Sequence, residues 1–153
     1  MSGTIVVGVD GSAASHEALR WAAQEAGLRG AQLVAVHAWA YVPAAPIGDP
    51  GMMAMPTVDL PGYLEAEREA ASADFDAAIA DAVNTESANV VELERLLVEG
   101  DPGEVLVSQS AEADLVVVGS HGRSGFKAAL LGSVSRYVVD RAECPVVVVK
   151  ASG

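Results

Sequence analysis

Short, unbroken runs of aliphatic residues, separated by helix-like segments, constrain the fold of this chain most strongly. The runs lie within residues 4–9, 32–39, 114–118 and 146–149, and a further segment over residues 90–98 alternates acidic and aliphatic side chains. Parallel strands that are covered on both faces have continuous apolar runs, whereas alternation is typical of a half-exposed edge strand. The sequence therefore predicts a sheet of five strands, with the third strand at one edge.

Helix signals fill the segments between these runs. Ser12 is placed to cap a helix with alanine at every fourth position, and Gly30 is placed to end it. A second helix is predicted over residues 63–84, a third begins at the N-cap Asp101, and a fourth covers residues 133–141. Because crossovers between parallel strands are right-handed, this order predicts an α/β fold. We expect an open, doubly wound, Rossmann-like sheet of order 3-2-1-4-5, with helices on both faces.

Length and composition predict one domain over residues 1–153. Residues 40–62 are rich in proline and methionine and have no periodicity, so we expect a flexible loop or lid there. The formal net charge of −12 argues against nucleic acid and anionic membranes as broad partners.

Cysteine usage and hydropathy predict the compartment. Cys144 is the only cysteine, so no intramolecular disulfide can form, and we expect a small buried residue there rather than a nucleophile. No apolar stretch is long enough to span a membrane, and the amino terminus lacks the layout of a signal peptide. We therefore expect a soluble, cytoplasmic protein.

A glycine-rich segment follows the fourth predicted strand and leads to the last predicted helix. Its spacing is Gly-x2-Gly-x9-Gly-Ser, from Gly119 to Ser133. Glycine lets backbone N–H groups approach an anion closely, and a helix start adds unpaired donors and partial positive charge. The spacing matches neither the Walker loop nor the dinucleotide fingerprint. It indicates a different class of nucleotide site.

Topology places a second polar segment opposite this one. Open α/β sheets bind ligands beyond the carboxyl ends of the strands, where the direction of winding diverges. In the predicted order that point lies between strands one and four, where residues 9–12 meet residues 118–122. Glycine chemistry and topology therefore predict the same cleft.

Each group in this cleft has a predicted role. Gly119, Gly122 and Gly125 would permit close backbone approach, and the amides of residues 132–134 would hold phosphate oxygens. Asp10 would repel phosphates unless it held a divalent cation or bonded ribose hydroxyls.

For some side chains of the cleft the sequence leaves two roles open. Ser133 is placed to donate a hydroxyl or to cap the last helix. Arg123 and Lys127 are placed either to contact phosphate or to be solvated. We expect His37 to be a satisfied structural histidine, and His121 to act through its backbone rather than as a general base.

These segments together resemble the universal stress protein family. The residues that carry the resemblance are 5–12, 36–38, 100–102, 118–123, 131–135 and 144–149. The resemblance implies the 3-2-1-4-5 sheet of adenine nucleotide alpha hydrolase-like proteins. It also implies membership of the ATP-binding branch, because the glycine motif of that branch is intact.

The resemblance also implies site roles and a partner. Asp10 lies near the phosphates and a Mg²⁺ or Mn²⁺ ion, and Ala38 meets adenine through its backbone. A homodimer through Val146–Val149 is implied, and it agrees with the hazard of leaving an apolar edge strand uncovered. The candidate nucleotide-binding residues are Val9, Asp10, Gly11, Ser12, Ala38, Val118, Gly119, His121, Gly122, Arg123, Gly132, Ser133, Val134 and Ser135.

The leading hypothesis is a stress-response sensor that binds ATP, or AMP, ADP or cyclic AMP, without an assigned catalytic residue. A slow ATP hydrolase or self-phosphorylating protein is an alternative, with Asp10 holding metal and Ser133 or Ser135 nearby. A cyclic AMP binder and an interaction module with a vestigial pocket are further alternatives.

Overall fold

Strands and helices alternate along the chain, as the sequence predicts. The computed structural model describes residues 3–39, 60–83, 92–122 and 131–151. The elements are β1 (Thr4–Gly8), α1 (Ala13–Arg29), β2 (Gln32–Trp39), α2 (Leu60–Val83), β3 (Leu93–Glu99), α3 (Pro102–Ser110), β4 (Leu115–Gly119), α4 (Ser133–Arg141) and β5 (Val146–Val149).

The strands form one parallel sheet of order β3-β2-β1-β4-β5, which confirms the predicted order. β1 lies at the centre, where Val6 pairs with Val34 of β2 on one side and with Val116 of β4 on the other. The chain winds in opposite directions from β1, so the crevice between β1 and β4 opens at the carboxyl edge of the sheet.

Helices cover both faces of this sheet, as predicted. Successive side chains of a strand point to opposite faces. Ile5 and Val7 of β1 accordingly pack in one buried cluster with residues of α1 and α2. Val6, between them in sequence, belongs to a second cluster with Leu106 of α3 and Val138 of α4.

α1 lies close to the sheet because its inner face is built from small residues. Ala14, Ala18, Ala22 and Ala26 are all buried. Their short side chains let the helix backbone approach the strands. Both predicted ends are confirmed: the Ser12 side chain accepts from the Ser15 N–H at 3.1 Å, and Gly30 adopts the left-handed conformation at φ 63°.

The bounds of several elements differ from those predicted. β1 ends at Gly8 rather than at residue 9, because Gly8–Val36 is the last pair of its ladder with β2. β4 covers Leu115–Gly119 instead of residues 114–118, because Gly119 still pairs with Val149 of β5. Strand ends are set by pairing with a neighbour, which a single run of residues does not contain.

β3 lies at the edge of the sheet, as its mixed composition predicts. It begins at Leu93, which pairs with Leu33, so Glu92 precedes the strand. The predicted start at residue 90 lies outside the described residues. Glu94 and Arg95 of this strand are exposed, which agrees with an edge position.

α2 begins three residues earlier than predicted, at Leu60. Pro61 therefore lies in its first turn, where a missing N–H leaves no helical hydrogen bond unmade. Residues 60–62, which we assigned to the loop, are helical; the rest of that assignment, residues 40–59, lies outside the described part of the chain.

Within the described ranges, no helix has the combined length and apolarity that a membrane span requires.

Two leucines of α1 test whether its inner face holds the fold together. Leu19 is 1% exposed, whereas Leu28 is 84% exposed. We expect Leu19→Ala to lower the free energy of unfolding by about 2–5 kcal/mol, since it leaves a cavity. Leu28→Ala should change it by less than about 0.5 kcal/mol. Urea denaturation of both variants measures the difference, and equal losses would contradict the described packing.

Candidate functional site

The carboxyl ends of β1 and β4 open into a cleft, here named the β1–β4 cleft. Its empty space is about 690 Å³, a figure that includes open solvent. The cleft lies at the divergence point of the sheet, where topology predicts it. The structure therefore brings together the two polar segments that the sequence indicated.

Most of the predicted site residues line this cleft. They are Val9, Asp10, Ala38, Val118, Gly119, His121, Gly122, Gly132, Ser133, Val134 and Ser135. Arg123, Gly125 and Lys127 lie outside the described residues.

Gly11 and Ser12 are next to the cleft but do not line it. Gly11 has φ 82°, a left-handed conformation that favours glycine, and it makes the turn that follows Asp10. Ser12 caps α1, and its hydroxyl also donates to the His121 carbonyl oxygen at 3.3 Å. These residues therefore shape the loop after β1 and tie it to the loop after β4.

Other lining residues were missed by the sequence analysis. They are Gly8, Ser15, Val36, Pro102 and Leu106. Pro102 and Leu106 could have been predicted from the strand order. Their helix, α3, follows a parallel strand and so begins at the same edge of the sheet as the cleft. Leu106 is one turn beyond Pro102 and lies on the same helix face. Ser15 had no comparable local signal.

Gly119 allows β4 to approach the first turn of α1. A Cβ atom built on Gly119 would lie 2.7 Å from the Ala14 carbonyl carbon and 2.8 Å from the Ser15 nitrogen. At Gly122 the nearest atom would be the Asp10 Oδ2, at 3.1 Å. Glycine is thus required at residue 119, where β4 packs on α1, whereas a side chain at residue 122 would only have to displace the Asp10 carboxylate slightly. The second role predicted for both glycines, close approach of backbone to a ligand, stays a prediction.

α4 begins at the cleft without a side-chain cap. Its N-cap is Gly132, which makes no side-chain capping hydrogen bond. Ser133, which we considered as the cap, is instead the first helical residue and is exposed. The Gly132 N–H donates to the Ser120 carbonyl at 2.7 Å. The expectation that this amide holds a phosphate oxygen is therefore wrong, because its hydrogen is already bonded within the protein. Residues 133–135, the first turn of α4, belong to the lining of the cleft. The first N–H groups of a helix have no partner within that helix.

Ser135 holds this helix start in place. Its hydroxyl lies 3.1 Å from the Ser120 carbonyl oxygen and 3.0 Å from the Gly132 carbonyl oxygen. The residue is only 2% exposed. A hydroxyl bonded in this way positions the loop and is poorly placed to act as a nucleophile.

Asp10 supplies the negative charge of the cleft. Its Oδ1 accepts from the Ser12 N–H at 2.8 Å, which closes a turn, and its Oδ2 lies on the side of Gly122. Among the described lining residues, Asp10 is the only one with a carboxylate, and none is a lysine or arginine. The described residues contain no cluster of three or more potential metal ligands. A cation beside Asp10 would take its other ligands from water, backbone or hydroxyl oxygens, or a bound molecule.

The two histidines near the cleft have different surroundings. His37 Nδ1 lies 2.6 Å from the Val9 carbonyl oxygen, and its ring is 5.6 Å from that of Phe75. The expectation of a satisfied structural histidine is confirmed. His121 Nδ1 lies 2.9 Å from the Ser120 hydroxyl, which is buried. The His121 carbonyl oxygen accepts from the Ser12 hydroxyl, in agreement with a backbone role for His121.

Cys144 is half-buried rather than fully buried. It packs against the cluster beneath α3 and α4, before β5. Burial raises the pKa of its thiol. The thiolate, which is the nucleophilic form, is thereby disfavoured.

The chain matches a known family over almost its whole length. Residues 1–150 match the Universal stress protein family. The chain belongs to the universal stress protein family. This family member is 40% identical, over 97% of its length, to Universal stress protein Rv2005c of Mycobacterium tuberculosis, and the match covers 45% of that relative. The chain thus spans about half the length of the curated relatives it matches.

Solved structures of other universal stress proteins have the same fold. One, in complex with cAMP, is 32% identical with a TM-score of 0.65, covering 99% of this chain and 98% of that chain. Another, from Archaeoglobus fulgidus in complex with dAMP, is 25% identical with a TM-score of 0.59, covering 97% and 98%.

Alanine substitutions at two glycines of the cleft compare a clash with backbone atoms with a clash with side-chain atoms. In Gly119→Ala the new methyl meets the backbone of α1, which cannot move without moving the helix. In Gly8→Ala it meets the Leu106 Cδ1 at 2.8 Å, the end of a flexible side chain. We expect Gly119→Ala to cost about 1–3 kcal/mol of unfolding free energy and Gly8→Ala clearly less. Urea denaturation compares them, and equal costs would contradict this account of Gly119.

Proposed function

We propose that this universal stress protein binds an adenine nucleotide in the β1–β4 cleft. The observation that carries the proposal is the uncapped start of α4, which contributes residues 133–135 to the lining opposite Asp10. Helix starts with free N–H groups are favourable sites for phosphate. The family members solved with cAMP and dAMP support the same ligand class.

The remainder of the lining suits a base and a ribose. Val36, Ala38, Leu106 and Val118 contribute apolar side chains from β2, α3 and β4. An adenine ring is flat and largely apolar, with polar atoms at its edge. We propose that it packs on this wall and that the Ala38 backbone contacts its edge.

Charge favours a nucleotide that brings a cation with it. The chain has a formal net charge of −12, and Asp10 would repel a phosphate in the cleft. Magnesium in proteins is commonly held by one or two carboxylates together with phosphate oxygens. We propose ATP with Mg²⁺ or Mn²⁺ as the ligand, with Asp10 Oδ2 as the protein ligand of the ion.

The described residues favour binding over turnover. Of the two serines in the self-phosphorylation alternative, Ser133 is exposed, whereas Ser135 is 2% exposed and hydrogen-bonded to the Ser120 and Gly132 carbonyl oxygens. We therefore propose a sensor whose bound nucleotide reports a stress state. A homodimer through Val146–Val149 is part of this proposal, since β5 is the last strand of the sheet order. A cytoplasmic location stays a prediction from the sequence.

Cyclic AMP is a second candidate ligand, because the family member solved with cAMP is 32% identical to this chain. Mass spectrometry of the nucleotide released from gently purified protein, followed by competition between ATP and cyclic AMP, separates the two candidates. A cleft that carries no nucleotide, and takes up none in the presence of magnesium, would contradict the proposed function.

A charge at the start of α4 tests the phosphate position. Ser133 is exposed, lines the cleft and is the first residue of α4. We expect Ser133→Glu to weaken ATP binding about tenfold, because like charges a few ångströms apart repel. The free protein should keep its stability, since an acidic residue at a helix start is favourable. Titration calorimetry measures the affinity and thermal unfolding the stability.

Ser133→Gln is the matched control for this variant. It adds a side chain of the same size without charge, so its affinity for ATP should fall clearly less. Equal losses in the two variants would indicate steric blocking and would contradict phosphate binding at this helix start.

Asp10→Asn tests the proposed metal role. The amide oxygen of Asn can still accept from the Ser12 N–H, so the turn should persist. We expect the variant to lose most of the gain in ATP affinity that Mg²⁺ gives the wild type. Without metal it should bind ATP more tightly than the wild type, because the repulsion is gone. Calorimetry with Mg²⁺ and with EDTA measures both effects.

Asp140→Asn, an exposed position on α4, makes the same change of charge outside the cleft lining and should leave both affinities unchanged. A loss in Asp10→Asn that is equal with and without metal would assign Asp10 to the ribose hydroxyls instead.

A further inference from the structure

One peptide unit at the end of β1 is held by two side chains from different elements. The Val9 carbonyl and the Asp10 N–H belong to the same peptide bond. His37 of β2 contacts the carbonyl through Nδ1 at 2.6 Å, and Ser15 of α1 accepts from the N–H through Oγ at 3.2 Å. This peptide has left the ladder, because β1 ends at Gly8. Side chains therefore make the hydrogen bonds that a neighbouring strand makes elsewhere.

The contact with Val9 defines the protonation of His37. A carbonyl oxygen can only accept, so Nδ1 must carry the proton, in the neutral as well as the charged ring. His37 lies on β2, which pairs with a strand on each side, and its ring packs beside Phe75. The donor is thus held by a rigid part of the sheet.

Ser15 is equally well fixed. It is 3% exposed and lies in the first turn of α1. Its hydroxyl donates to the Ser12 carbonyl at 3.1 Å while it accepts from Asp10. The donor and one acceptor site of this hydroxyl are therefore in use, so the group that holds the Asp10 N–H is itself held by a hydrogen bond.

Fixing both ends of a peptide unit fixes the residue that follows it. The orientation of the plane is set by ψ of Val9 and φ of Asp10, so locking the plane removes these two rotations. The Asp10 carboxylate is already held at Oδ1 by the Ser12 N–H. We infer that His37 and Ser15 are positioning residues that lock the Val9–Asp10 peptide and so aim the second carboxylate oxygen, Oδ2, at the phosphate part of the cleft.

This inference rests on the proposed nucleotide site, because it assigns a purpose to the orientation of Asp10. His37 is not among the residues that line the cleft, so it would act on a ligand only through Asp10. Ser15 does line the cleft, from the first turn of α1. The two residues should therefore matter most for the property that Asp10 controls, which is the metal dependence of nucleotide affinity.

The hydrogen bonds that hold the Val9–Asp10 peptide can be tested in the protein without any nucleotide. Long-range ¹⁵N NMR of the histidine side chains should identify His37 as the Nδ1–H tautomer at neutral and alkaline pH. In amide NMR spectra, His37→Leu and Ser15→Ala should each shift the resonance of the Asp10 N–H. His16→Leu makes the matched change on α1, at a residue outside the cleft lining, and should leave that resonance in place. An Nε2–H tautomer of His37 would overturn the inference.

The effect on nucleotide binding is measured by calorimetry as the metal ratio, which is the ATP affinity with Mg²⁺ divided by the ATP affinity with EDTA. We expect His37→Leu and Ser15→Ala each to reduce this ratio about three- to tenfold, the value of one hydrogen bond. His37→Asn, whose amide N–H₂ can replace the Nδ1 donor, should restore most of it. In an Asp10→Asn background, His37→Leu should change the ratio less than about twofold, because coupled residues are non-additive.

The outcomes separate this inference from the proposed function. If the wild type binds no nucleotide, the proposed function has failed, and the NMR arm alone decides whether the peptide is locked. If the wild type binds ATP and His37→Leu keeps the full metal ratio in a folded protein, the positioning role is overturned. A loss that is equal with and without metal, and that His37→Asn does not restore, would also overturn it, since it would indicate a general loss of structure.

Discussion

The contact between the end of β4 and the first turn of α1 is the constraint on which the cleft depends. Gly119 permits it, because any side chain there would meet the backbone of Ala14 and Ser15. The contact brings the loop after β4 beside the loop after β1. Both strands then open onto one cleft, and residues far apart in sequence become neighbours. Backbone packing of this kind tolerates little displacement, so the geometry of the site follows from it.

Serine hydroxyls hold the two loops in register. Ser12 caps α1 and reaches across to the His121 carbonyl, while Ser135 ties the start of α4 to the Ser120 carbonyl. Each hydroxyl connects a helix start to a loop. The result is a cleft whose polar side is made largely of backbone groups on rigid elements. Such an arrangement is compatible with the phosphate-containing ligand that we propose.

The electrostatics of the site follow from the same construction. Among its described lining residues the cleft contains Asp10 but no lysine or arginine, and the start of α4 is the partial positive charge that we propose for it. Partial charges at a helix start act only over about one turn. A carboxylate aimed into that region would repel phosphate unless it faced a cation or bonded ribose hydroxyls. This makes the orientation of Asp10, and the His37 and Ser15 contacts that govern it, the critical feature of the proposed ligand site.

Much of the fold and of the site could be predicted from the sequence, since their signals are local. Aliphatic runs mark buried strands, Ser12 and Gly30 mark the ends of α1, and the right-handed rule for crossovers then limits the strand order. The cleft followed from that order, because parallel strands share one carboxyl edge. The family resemblance rested on the same short segments. The sequence by itself therefore determined the α/β architecture, the position of the cleft and most of its lining.

Only the tertiary structure decided what the residues of the cleft contact. Gly132, not Ser133, caps α4, because its N–H is bound by the Ser120 carbonyl of another segment. The same holds for Ser15 and His37, whose partners on the Val9–Asp10 peptide are reached only after β2 and α1 have packed on β1. Hydrogen bonds between segments depend on distances that no local pattern encodes. For that reason the sequence could indicate a phosphate site, whereas the fold alone determined how its aspartate is held.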